Sequence, residues 1–247
     1  MTAVGVFLLI VGGCDLLRAA RDITSLRRRL VLAALGLVLL GIFAVFLELD
    51  ASELAGVGVV WATGFLLWLF GSASALTGGG ALARTVAFVG LGGGLLAAVL
   101  AEGGLSRTSH LLGEMPTSLS GSLVGELSPA WLLLVLGVFA VQLSTANIAV
   151  RLVLDAVGVP ATTNEKRLKG GRMLGPMERL FILGLGLAGE VTAAAIVVAA
   201  KGLLRFPELQ RGEGEPGPTD VTEYFLIGSF ASWLVALGGL GIVVLAR

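Results

Sequence analysis

The sequence predicts an all-α fold, a polytopic transmembrane helical bundle of six or seven crossings. Three observations lead there. Hydrophobic residues make up 56% of the 247-residue chain and charged residues only 14%, where a soluble domain carries nearly twice that charged fraction. The mean hydropathy is +0.96. The apolar residues are gathered into seven stretches, and none keeps a two-residue alternation. The last point excludes barrel strands, which alternate over about ten residues, and helices are then the remaining way to satisfy the backbone in lipid.

Taken in order, the expected helices cover residues 3–20, 30–48, 54–72, 84–101, 129–154, 178–200 and 223–246, within a single membrane domain 1–247. A crossing needs about 20 residues. The stretches 30–48, 129–154, 178–200 and 223–246 meet this directly, and 54–72 and 84–101 meet it if their glycine-rich flanks are helical. The first stretch is short and holds Asp15, with Arg18 three residues later. No basic residue precedes it and arginines follow, which fits a retained helix with its amino terminus outside rather than a cleaved leader. An interfacial piece is the alternative.

Charge places the connections. Arg18, Arg21, Arg27, Arg28 and Arg29 follow the first stretch against Asp22 alone, and Arg151 to Arg179 adds Lys166, Arg167, Lys169 and Arg172. Acids dominate 48–53, 102–126 and 208–223. Basic excess in alternate loops is the positive-inside pattern. It predicts a multi-pass protein of a cytoplasmic membrane with its carboxyl terminus inside. With 17 basic and 17 acidic residues the net charge is zero, so no nucleic-acid partner is expected. Membrane lipids are the expected surroundings, with other integral membrane subunits as further partners.

Little in the chain carries chemistry. One cysteine, Cys14, makes no intrachain disulfide, and one histidine, His110, excludes a multi-histidine metal or haem site. No cofactor and no metal are expected. The 37 glycines lack a triplet period and read as close helix packing. Gly184 with Ala188, and Gly238 with Ile242, have the four-residue spacing such packing uses.

Polar residues inside apolar stretches are the candidate sites. Gln142, Ser144, Thr145, Asn147 and Arg151 occupy the fifth stretch, with Ser144, Asn147 and Arg151 near one face by three- and four-residue spacing. They read as the wall of a solute path or as interhelical hydrogen bonds. Glu190 lies near the middle of 178–200. A carboxylate at that depth is expensive against lipid, so it is expected to face the interior in an ion pair or to carry a proton. Arg179, Glu190 and Lys201 are eleven residues apart, nearly whole turns of a helix, and would form one stripe about 16–17 Å between members.

Over residues 171–228 the chain resembles an uncharacterised family of bacterial integral membrane proteins. The residues that carry the resemblance are Gly171-Arg172, Gly175-Pro176-Met177-Glu178-Arg179, Ala199-Ala200-Lys201, Arg205-Phe206 and the run Glu223–Gly228. Members often carry an amino-terminal module with His and Asp motifs that has no counterpart here. Relatives carry Gln at the position of Glu190, which would make its ionised state unnecessary. The resemblance implies a bacterial inner membrane and no defined activity. It marks Glu178, Arg179, Lys201, Arg205 and Tyr224 as a motif set, read as an ion-pair network or as contacts to an anionic lipid or substrate.

No nucleotide motif, ligand cluster or nucleophile–base pair is present, so catalysis is not expected. The function expected is a non-catalytic membrane subunit or scaffold packing against partner helices. A small-solute transporter, proton-coupled through Glu190, is the alternative. A membrane enzyme acting on a lipid ranks below both.

Overall fold

A computed structural model describes residues 2–18, 25–46, 54–105, 128–159, 171–210 and 220–246, and every element among them is helical. We number the helices α1 (Thr2–Arg18), α2 (Leu26–Phe46), α3 (Val59–Ala75, led in by a π turn at Leu54–Gly58), α4 (Gly80–Leu105), α5 (Pro129–Ala140), α6 (Ala146–Ala156), α7 (Gly171–Leu187), α8 (Val191–Gln210) and α9 (Asp220–Leu245). A π turn, Val141–Thr145, joins α5 to α6. The helices fall into two compact units, one up to Val141 and one over Gln142–Leu245.

Among the described residues, five helical stretches are long and apolar enough to cross a membrane: Leu26–Val45, Ala55–Ala75, Gly80–Glu102, Pro129–Ala156 and Glu223–Leu245. The expected count was six or seven, and two stretches account for the difference. α1 has 17 residues, about 26 Å of helix, against a hydrocarbon thickness of about 30 Å. The expected helix over 178–200 is two helices, broken between Leu187 and Val191.

The break has a clear local cause. Gly189 adopts φ +83°, a left-handed conformation that glycine takes without steric cost. The Glu190 N–H then donates to the Leu185 carbonyl and the Gly189 N–H to Gly186. These two bonds are the Schellman arrangement that closes a helix. Apolar content over 178–200 is continuous, so hydropathy alone does not reveal the stop.

In the first unit α1 is the core. Thirteen of its 17 residues are buried, by α2, α4 and α5. Lipid already solvates apolar side chains, so close packing rather than escape from water must hold such a helix. Gly5, Gly12 and Gly137 supply it: a Cβ on Gly137 would stand 2.6 Å from the Gly5 carbonyl oxygen, and one on Gly12 2.7 Å from the Ala140 backbone. Both ends of α1 are met by other helices. The Val4 N–H, one of the unpaired donors of the first turn, donates to Glu102 Oε1 of α4 at 3.2 Å. At the far end Arg18 reaches Ser72 of α3.

The second unit packs α7 against α6, α8 and α9, and α6 against α9. Contacts fix the directions. Gln142 meets Val235 and Leu154 lies against Gly228, so α6 runs antiparallel to α9. Glu178 meets Trp233 and Gly186 faces Leu240, so α7 runs parallel to α9. The sequence reading had the helices at 129–154 and 223–246 pointing the same way, with one crossing between them. The break at Gly189 removes that single crossing, and Ala156 and Leu245 lie at opposite ends of this unit.

Of the small-residue pairs singled out above, Gly184 and Gly238 would each carry a Cβ with nothing within 4 Å. Their faces make no close contact among the described residues. Gly186, two positions on, is the α7 glycine that a neighbouring helix crowds, through the Leu240 side chain.

Candidate functional site

The polar centre of the second unit is built on Arg179. Its side chain is 1% exposed. Nε donates to the Gln142 carbonyl at 3.0 Å, Nη1 to Ser232 Oγ at 2.8 Å, and Nη2 to Asn147 Oδ1. The planar fork of a guanidinium suits three acceptors on two neighbouring helices better than an ammonium does. Beside it, the buried carboxylate of Glu178 accepts from Trp233 Nε1 at 3.0 Å. The Gln142 amide donates to the Val235 carbonyl at 3.0 Å, while its buried Oε1 has no partner.

Local structure explains why these groups meet. At 100° per residue Gln142 and Asn147 would stand about 140° apart around a helix. The π turn at Val141–Thr145 has a longer period and narrows that gap. It also loosens the regular ladder of backbone bonds, and the Gln142 carbonyl within it receives Arg179. On α7, Pro176 lacks an N–H and crowds the preceding turn, two residues before the Glu178–Arg179 pair. Gly175 leaves room at the cluster: a Cβ there would touch only Arg179 Nη1 and Asn147 Oδ1, at 3.5 and 3.8 Å.

The centre lies at mid-length of the apolar spans. Gln142 is thirteen residues from Pro129 and fourteen from Ala156, and Val235 is twelve from Glu223 and ten from Leu245. Both partner helices therefore place Arg179 near the mid-length of these apolar spans. The sequence reading had Arg179 as an anchor near one membrane boundary and Glu190 at mid-depth. The arrangement is the reverse. Glu190 is exposed at the break between α7 and α8. Because α7 parallels α9 and Gly186 already stands beside Leu240, Glu190 is level with the last turn of α9.

The same break corrects the stripe of Arg179, Glu190 and Lys201. Eleven-residue spacing aligns side chains only along one helix, and these three lie on α7, on the break and on α8. The side chains of Lys201 and Arg205 are outside the described residues. Arg151 is half-buried nine residues beyond Gln142, about 13 Å along the helix. Tyr224, half-buried, is about 12 Å from Ser232 by the same measure. Ser144 and Thr145 are buried on the π turn. Of the sequence candidates, the structure brings together Gln142, Asn147, Glu178 and Arg179. It adds Ser232 and Trp233, which composition could have flagged as a hydroxyl and an indole inside an apolar span.

The first unit holds a second buried cation. Arg18 and Asp15 are each 1% exposed, with Nε 3.7 Å from Oδ1. Arg18 donates to Ser72 Oγ at 3.0 Å and to the Leu69 carbonyl at 3.2 Å, and Trp68 Nε1 donates to Asp15 Oδ2 at 2.8 Å. The Trp68 ring is held against Phe88 of α4, centroids 6.3 Å apart. This cluster runs along the second half of α3, from Trp68 near its middle to Ser72 near its end. An indole N–H on a carboxylate and a serine hydroxyl under a guanidinium thus occur in both units.

No group of three or more potential metal ligands occurs among the described residues. The long apolar helices, their lipid-ready outer faces and the enclosed polar clusters define a multi-pass, membrane-embedded helical protein. No family model matches the chain, and no curated protein or solved structure does either.

Proposed function

We propose that this chain is a non-catalytic subunit or scaffold of a membrane assembly, packing its outer helix faces against partner membrane helices. One observation carries the reading: the buried cations are engaged by the chain's own groups. Arg179 spends bonds on Gln142, Ser232 and Asn147, and Arg18 on Asp15, Ser72 and Leu69. Clusters wired this way orient helices, and a buried polar network is costly unless its members are satisfied. The outer faces carry large exposed apolar side chains, among them Val45, Leu100, Phe230 and Leu237, which lipid or partner helices must cover.

In this reading α1 is a further crossing, because it runs beside α4 from Glu102 and ends beside Ser72. α7 ends level with the end of α9, so the chain must travel back before α9 begins. α8, about 30 Å long and packed on α7, is the element available for that return. With the basic residues Lys166, Arg167, Lys169 and Arg172 in the cytoplasm, the end of α9 faces outward, which reverses the expectation from sequence. The resemblance over 171–228 favours a bacterial cytoplasmic membrane.

The transporter reading rests on one observation, the unpartnered Gln142 Oε1 beside a mid-span arginine. Polar groups at that depth often mark solute paths. Glu190, the proton carrier expected from sequence, lies exposed at the break between α7 and α8. Co-purification from mild detergent tests the main reading. A stoichiometric membrane partner, lost when Phe230 and Leu237 are both replaced by Ala, supports it. A lone chain that moves solute in vesicles and stops on Gln142→Leu overturns it.

A further inference from the structure

The Arg179 centre keeps hydrogen-bonding capacity of both signs. Arg179 donates through Nε, Nη1 and Nη2 once each, to the Gln142 carbonyl, Ser232 Oγ and Asn147 Oδ1. A guanidinium has a second N–H on each Nη, and these two meet no acceptor among the described residues. Gln142 has the opposite shortage. Its side chain is 1% exposed, its amide donates to the Val235 carbonyl, and its Oε1 receives nothing. Turning the amide over does not help, because Oε1 would then face the Val235 carbonyl, acceptor against acceptor. The unmet groups are neighbours. Val235 is three residues from Ser232, about 4.5 Å along α9, and Gln142 gives its own carbonyl to Arg179 Nε. Leaving a buried acceptor without a donor is costly.

Room exists on one side of the guanidinium. A Cβ on Gly175 would come no closer than 3.5 Å to Arg179 Nη1 and 3.8 Å to Asn147 Oδ1. One on Gly228 of α9 would meet only the Leu154 methyls, at 3.5 and 3.8 Å. Further along α7 the helices close: a Cβ on Gly186 would stand 2.5 Å from Leu240. A polar, roomy site is what an internal hydrogen-bonding guest needs. The two shortages then choose its chemistry. An anion suits the spare N–H groups and is refused by Gln142 Oε1. A cation suits Oε1 and is repelled by the guanidinium. A neutral hydroxyl donates once and accepts twice, so it can meet both.

We propose that the Arg179 centre binds small neutral O–H groups, of water or of a short polyol, which donate to Gln142 Oε1 and accept from the spare guanidinium N–H groups beside Gly175. The inference goes beyond the scaffold reading. A site filled at rest requires neither a partner chain nor passage of solute across the membrane.

The test uses the full chain, nitrogen-labelled and reconstituted in lipid bilayers. Solid-state NMR reads the transfer of magnetisation from water protons, or from the C–H protons of added glycerol, to side-chain nitrogens. The Arg179 signals are identified by their loss in Arg179→Lys. The Trp68 indole, 0% exposed and held by Asp15, serves as the dry reference. Transfer from water to Arg179 is expected to be several-fold faster than to Trp68. Gly175→Ala places its Cβ at ordinary contact distances, so the fold is kept, and transfer is expected to fall several-fold. Gly184→Ala, whose Cβ meets nothing within 4 Å, is expected to leave it unchanged. Transfer from glycerol as well assigns the site to a polyol, and transfer from water alone assigns it to water. An Arg179 as dry as Trp68 overturns the proposal, and so does transfer that Gly175→Ala leaves undiminished. A density map of the reconstituted chain gives the second measurement. An ordered peak about 3 Å from Gln142 Oε1 is expected, and a protein N–H found there instead overturns the proposal.

Discussion

The two buried arginines solve the same problem differently. Arg18 has a carboxylate, Asp15, three residues away on its own helix. Arg179 sits at mid-span, and its hydrogen bonds to Gln142, Ser232 and Asn147 all end on neutral oxygens. The first arrangement is local ion pairing along one helix. The second replaces hydration by three fixed dipoles drawn from a π turn, a span and a neighbouring helix. Burial does not separate them, since both side chains are 1% exposed.

The largest expected effect breaks the first arrangement. Arg18→Leu leaves Asp15 buried without its cation and is expected to cost about 3 to 5 kcal/mol. Adding Asp15→Leu is expected to restore most of it, because removing a whole buried pair is often near neutral. Unfolding in detergent micelles measures both. If the double variant is as unstable as the single one, local pairing is not what holds Arg18.

Arg179→Lys sharpens the contrast. The ammonium keeps the charge but not the planar fork, so an acceptor is left unmet, at about 1 to 3 kcal/mol. Removing one acceptor is not expected to rescue it, since Arg179 also donates to the others and lies beside the Glu178 carboxylate. A full rescue by Ser232→Ala would contradict the distributed arrangement.

Helix packing gives the next comparison. Gly137→Ala puts a Cβ 2.6 Å from the Gly5 carbonyl oxygen, an overpacking expected to cost about 1 to 3 kcal/mol. Gly184→Ala meets nothing within 4 Å and is expected to be neutral, or to stabilise by up to about 1 kcal/mol. Equal losses at both positions would mean that Gly184 also faces a tightly packed neighbour.

The smallest effect is expected at Glu190. Glu190→Gln changes an exposed side chain at a helix break and is expected to stay within about 0.5 kcal/mol of the parent. A loss several times larger would restore the buried acid expected from sequence.

How much was legible in the sequence follows from which period each feature obeys. The apolar helices and the Asp15–Arg18 pair follow local rules, and both could be read directly. The Arg179 centre depends on a π turn, so a 3.6-residue period grouped Ser144, Asn147 and Arg151 and left Gln142 to one side. Glu190 was misplaced because hydropathy runs unbroken through Gly189, and a glycine that ends a helix looks the same in sequence as one that packs it. Ser72, Trp68, Ser232 and Trp233 join their clusters only through tertiary contacts, which one chain read linearly does not order.

The depth inversion between Arg179 and Glu190 can be measured directly. Spin labels on Phe181→Cys, an exposed position two residues from Arg179, and on Glu190→Cys compare the two levels, and the one native cysteine, Cys14, is buried. In vesicles, the label at 181 is expected to collide more with dissolved oxygen, which concentrates at the bilayer centre. The label at 190 is expected to collide more with a water-soluble nickel chelate. A label at 190 that is the deeper of the two would contradict the account, because it would put the acid back in the middle of an unbroken crossing.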